Sequence, residues 1–149
     1  MIATDGSDAA LEAATVSLRL LHPDATITLV TIAEARHDPM EDAGGFEGPV
    51  MTDEEADAEH EASMAHARTA LLATAEAVGI PIADAKLVSS VSTVDRALRD
   101  LVRDEQPDVL VLGSADEGWF HRFLHGSVED KLLHHVSCPI LIVGHHREH

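Results

Sequence analysis

Strand signals and helix signals alternate along the whole chain, and that alternation restricts the fold more than any other feature. Extended segments are read at 2–4, TITLVTI (26–32), ADAKLVS (83–89), DVLVLG (108–113) and CPILIVG (138–144), all rich in aliphatic and β-branched residues. Between them, helical spacing of apolar residues covers 9–21, after the turn residues DGSD, and 53–78, with an acidic first turn and a stop at Gly79 and Pro81. A further helix is expected over 92–106, capped at Ser92 or Thr93 and carrying Val94, Leu98, Leu101 and Val102 on one face, and a short one over 128–135. The segment 33–52, with Pro39, Gly44, Gly45, Gly48 and Pro49, reads as a long mobile loop, and 145–149 (HHREH) as a tail.

Continuous apolar strands joined by helical crossovers imply an open, mostly parallel five-stranded α/β sheet with helices on both faces. One Rossmann-like domain over 1–149 is expected at this length. Ligands in such sheets bind at the carboxyl ends of the strands, where strand order reverses. Here that crevice would be lined by the loops after Thr4, Ile32 and Leu112.

Charge narrows the function. Against 27 acidic residues stand 10 basic ones, for a formal net charge of -17. No basic stripe accompanies aromatics, so no nucleic-acid partner is expected. Apolar runs too short to span a bilayer and no basic-then-apolar leader argue against membrane insertion and export, leaving a cytoplasmic protein as the expectation. Acidic residues spread over nearly every segment, with only Lys86 and Lys131 as lysines, fit a salt-rich, halophilic setting. There self-repulsion is screened within about 3 Å at molar salt. The single Cys138 lies in an apolar run and reads as a small buried hydrophobe.

The stretch LGSADEGWFHRFLHGSVED (112–130) is the candidate phosphate cradle. Its glycines free the backbone, and a small hydroxyl residue before a helix brings N–H donors to an anion. Asp116 and Glu117 in its middle repel phosphate. Ser127 has a second reading as a helix N-cap that needs no ligand. Trp119, Phe120 and Phe123 suit packing of this loop onto the sheet.

Together, ATDGSDAALEAA, VLGSADEGWFHRFLHGSVEDKLLHHVSCPILIVG and the five-strand order resemble the universal stress protein family over almost the whole chain. The resemblance implies the family's adenine nucleotide alpha hydrolase-like fold. Its ATP-binding members carry G-x-x-G-x9-G-[ST]. Gly113 matches the first glycine, Gly126 and Ser127 the closing pair, and Asp116 replaces the second glycine with the spacing kept.

By the same resemblance Ala3, Thr4 and Asp5 match the first strand end near ribose and adenine. Ile32 matches the residue whose backbone meets adenine, and Leu112, Gly113, Gly126, Ser127 and Val128 match the phosphate and base contacts. Asp5 equally suits the start of a turn or a helix cap. A carboxylate at position 116 about 5 Å from a phosphate charge costs about 0.8 kcal/mol in water and more in a low dielectric. Mg²⁺ shared by that carboxylate and phosphate oxygens would reverse the sign. The ligand implied is therefore ATP, with Mg²⁺ as the compensating ion.

The family also implies a homodimer paired antiparallel through the fifth strand (139–143), an edge strand whose open backbone groups need a partner. Family members usually begin several residues before this chain's Ile2, so a shortened first strand or a start assigned too late is expected. Enzyme signatures are scarce. No P-loop motif and no lysine near the phosphate position are present, and only Arg122, His121 and His125 could offset phosphate charge, so at most weak ATP hydrolysis is expected. The pairs His134/His135 and His145/His146 read as solvated histidines, and no metal site is assigned to them. Three readings stay open: a nucleotide-binding stress module, a dimeric stress-response protein that binds no nucleotide, and a weak ATPase.

Overall fold

The computed structural model describes residues 1–34, 52–90, 92–114 and 134–144. Within them the strands are β1 (Ile2–Ala3), β2 (Leu29–Glu34), β3 (Ala85–Ser90), β4 (Leu110–Ser114) and β5 (Ile140–Gly144). The helices are α1 (Asp8–Leu20), α2 (Asp53–Val78) and α3 (Val94–Glu105), with a 3-10 turn at Ile82–Asp84. All four strand pairings are parallel and the spatial order is β3-β2-β1-β4-β5. The architecture is the expected α/β sheet, with strand order reversing between β1 and β4.

Period-2 alternation assigns each strand residue to a face. Met1, Ala3, Val30, Ile32, Leu110 and Leu112 pack under Val94, Ala97, Leu98 and Val102 of α3. On the opposite face Ile2, Leu29 and Val111 pack against Ala14 of α1 and Leu71 and Ala75 of α2. Cys138 is partly buried at the margin of the α3-side core, and burial pushes its thiol up from its ordinary value.

The strand limits differ from those read in the sequence where pairing, not composition, sets them. Thr28 accepts the Ile2 N–H at 2.8 Å before β2 begins, and β2 continues to Glu34 because β3 offers partners as far as Ser90. The connection after β2 therefore starts two residues later than 33. Residues 83 and 84, read as strand, belong to the 3-10 turn, whose Asp84 N–H donates to Pro81 C=O. The short helix expected over 128–135 and the tail 145–149 fall largely or wholly outside the described residues.

α2 is held at both ends by its own sequence. Thr52 and Glu55 form a reciprocal capping box, three acidic residues occupy the first turn, and Gly79 closes the helix in the left-handed conformation (φ 69°). Its buried residues begin only at Ala67. The preceding fourteen residues of this 26-residue helix bury no side chain.

β1 has two residues yet lies at the middle of the sheet. Its pairing is extended by Met1, whose amino group donates to Val109 C=O at 3.0 Å and whose carbonyl accepts from Val111 N–H at 2.9 Å. Burial holds the Met1 ammonium below its ordinary value, partly countered by Cys138 and Asp108.

Candidate functional site

The switch between β1 and β4 brings three strand ends to one place. Beyond the Ala3–Val30 pair, Thr4 N–H donates to Val30 C=O at 2.9 Å, which sets Thr4 level with Thr31. Two steps beyond the Ile2–Val111 pair, Gly113 stands on Thr4's other side. Ala3, Thr4, Asp5, Ile32, Leu112 and Gly113 thus lie at neighbouring levels of β1, β2 and β4, toward the carboxyl side of the sheet. Asp116, Gly126, Ser127 and Val128 lie outside the described residues.

Burial sorts what these residues can offer. Ala3, Ile32 and Leu112 place their side chains in the core against α3, so a ligand could meet them only through backbone atoms. Asp5 alone of the six is more than marginally exposed. One of its carboxylate oxygens, Oδ1, accepts the Ser7 N–H at 3.0 Å, which is the turn-starting role. The cap of α1 belongs to Ser7, whose Oγ accepts from Ala10 N–H at 3.3 Å.

Gly113 has a reason to be glycine that involves no phosphate. A Cβ there would lie 2.6 Å from the Ala9 carbonyl oxygen and 2.8 Å from the Ala9 carbonyl carbon. The first turn of α1 rests directly on the strand, and helix and sheet approach this closely only over a bare backbone.

The β1–α1 turn is fixed from below by α2, a contribution that sequence reading did not anticipate. Gly6 has φ 77°, and a Cβ on it would meet Ala70 Cβ at 2.7 Å and Ala70 Cα at 2.9 Å. Gly6 N–H donates to Thr4 Oγ1 at 3.1 Å, Thr4 and Thr74 hydroxyls lie 2.8 Å apart, and Thr74 Oγ1 donates to Ala70 C=O at 2.8 Å. Both threonines are fully buried. The run of small residues along the buried stripe of α2 was the available signal, since such stripes permit close backbone approach. Thr31, beside Thr4, keeps a buried hydroxyl with no hydrogen-bond partner among the described residues.

At the two sheet edges the residues differ. β3 carries exposed Lys86 and Ser89, the polar pattern that blunts an edge, whereas β5 reads ILIVG with Ile142 44% exposed. Among the described residues no helix is long and apolar enough to cross a membrane.

No curated protein matches the chain. Solved structures do. A universal stress protein family member from Burkholderia pseudomallei aligns at TM-score 0.63 and 22% identity, covering 95% of this chain and 92% of that one. UspA from Lactobacillus plantarum aligns at 0.64 and 20%, covering 95% and 94%. A family protein from Arabidopsis thaliana, solved with AMP bound, aligns at 0.56 and 15%, covering 98% and 90%. A universal stress protein in complex with cAMP aligns at 0.54 and 22%, covering 96% and 93%. At these identities the likeness establishes the fold. The family model described as universal stress protein family matches residues 1–144, and the chain belongs to that family.

Proposed function

We propose that this protein is an adenine-nucleotide-binding stress-response module of the cytoplasm, acting as a homodimer in a salt-rich environment. The observation that carries the reading is the convergence of Thr4, Asp5, Leu112 and Gly113 at the strand-order switch, where open parallel sheets take nucleotides. Related structures hold AMP and cAMP, which supports an adenine nucleotide as the ligand class. Asp5 would accept ribose hydroxyls, and the backbones at Ile32 and Leu112 would meet the base. The segment containing Gly126 and Ser127 would receive the phosphates, and with ATP the Asp116 carboxylate would require Mg²⁺.

The apolar edge strand β5, with Ile142 exposed among the described residues, supports pairing with a second copy of the chain. Analytical ultracentrifugation of wild type and Ile142→Lys checks this. A dimer lost in the variant is the expected result, and a monomeric wild type refutes it.

A second reading, a dimer that binds no nucleotide, is favoured by two observations. Gly113 is explained by helix packing alone, and Asp116 stands where ATP binders have glycine. Calorimetry with AMP and ATP in molar KCl, with and without Mg²⁺, separates the readings. Saturable binding, Mg²⁺-dependent for ATP and Mg²⁺-independent in Asp116→Gly, is expected. No heat at millimolar nucleotide decides for the second.

A further inference from the structure

We propose that Thr74, on α2, is a positioning residue for the turn that presents Asp5. As an effect on ligand affinity the inference rests on the nucleotide reading; as a statement about the turn it does not.

Chemistry fixes the direction of the hydrogen-bond chain. An amide N–H only donates and a carbonyl only accepts. Thr74 gives its hydrogen to Ala70 C=O, so across the 2.8 Å contact the Thr4 hydroxyl must donate and Thr74 accept. Thr4 then offers its lone pairs to Gly6 N–H. The whole series, Gly6 to Thr4 to Thr74 to Ala70, has one self-consistent orientation and ends on the α2 backbone. Ala70 supplies the floor under Gly6, and Thr74 holds the Thr4 hydroxyl from which Gly6 hangs. Asp5 lies between the two anchored residues, and its Oδ1 is further tied to Ser7 N–H. The geometry of the partly exposed Asp5 carboxylate at the strand-order switch is thereby set by Thr74, 70 positions away in sequence from Thr4.

The test begins without nucleotide. Amide hydrogen exchange is followed by NMR in wild type, Thr74→Val and Thr74→Ser. Loss of the Thr74 oxygen should reduce Gly6 protection about tenfold beyond any uniform change at Leu29, Val30 and Leu110, as expected for releasing one buried hydrogen bond. Serine should restore it. Unchanged Gly6 protection in folded Thr74→Val overturns the proposal. Should that variant not fold, the wild type decides. The Thr4 and Thr74 hydroxyl protons should appear as slowly exchanging resonances with contacts to the Gly6 amide, and their absence overturns it.

AMP titration follows. An AMP dissociation constant raised about tenfold in Thr74→Val and restored by serine supports positioning for the ligand, and equal affinity in all three proteins refutes it. If wild type binds no AMP while Gly6 responds, the nucleotide reading fails and the positioning of the turn stands.

Discussion

Replacing Gly113 by alanine tests whether this glycine serves the sheet or a ligand. The added Cβ would sit 2.6 Å from Ala9 O, about 0.8 Å inside the 3.4 Å at which ordinary contact begins. The obstruction is helix backbone, so no rotamer change relieves it. α1 would have to lift, although Ala9, Ala10, Ala13, Ala14 and Ser17 are each at most 3% exposed against their neighbours. Overpacking a tight interior costs about 1–3 kcal/mol, and an immovable neighbour places this case near about 3 kcal/mol. That is a large fraction of the stability of a domain this size. Urea denaturation in molar KCl, followed by circular dichroism, measures it. A loss below about 1 kcal/mol would refute the packing argument and return Gly113 to a purely ligand-directed role.

The remaining predictions concern single groups. Gly6→Ala combines a left-handed backbone, about 1–2 kcal/mol for a non-glycine residue, with the contact on Ala70. A total loss of about 3 kcal/mol is expected by chemical denaturation, and only part should return on adding Ala70→Gly because Ala70 Cα remains in the way. Thr31→Val should stabilise by about 1 kcal/mol, since it removes a buried hydroxyl with no partner among the described residues and preserves shape. The buried Met1 amine has a folded-state value lowered from about 8. Between the two values the unfolded chain binds more protons, so stability measured in the 149-residue chain should rise with pH across that window and level off above about pH 8. Cys138, its thiol raised by burial, should react with iodoacetamide at pH 8 more slowly in the folded than in the unfolded protein.

How much of this was legible in the sequence depended on how local the cause was. α2 was readable because its limits lie in adjacent groups, the acidic turn at one end and Gly79 with Pro81 at the other, while the Thr52–Glu55 box came only with the structure. β2 was displaced because Thr26 and Ile27 have strand composition but no ladder partner in the structure, while Ala33 and Glu34 are paired by β3. The cluster at the strand ends followed from alternation and topology alone. The meaning of Gly113 did not, since phosphate contact and helix contact demand the same residue. Thr74 could not be identified from pattern, because a threonine within an alanine-rich helix looks the same whether it faces solvent or a threonine in another element. The phosphate half of the motif, from Asp116 to Val128, lies outside the described residues, and its reading stands on the sequence alone.

The central position of β1 also sets a timetable for synthesis. β1, ahead of every other described strand in chain order, must be flanked by β2 on one side and β4 on the other, and Met1 bonds to Val109, 108 residues further along. At about 5–20 residues per second, roughly 5–20 s pass before that second neighbour exists. Until then the nascent half-sheet β3-β2-β1 exposes Ile2 and Ala3 along an open apolar edge. The long-range closure that completes the fold comes late. A growing chain of this protein is thus most vulnerable to aggregation through the segment that ends at the middle of the finished sheet.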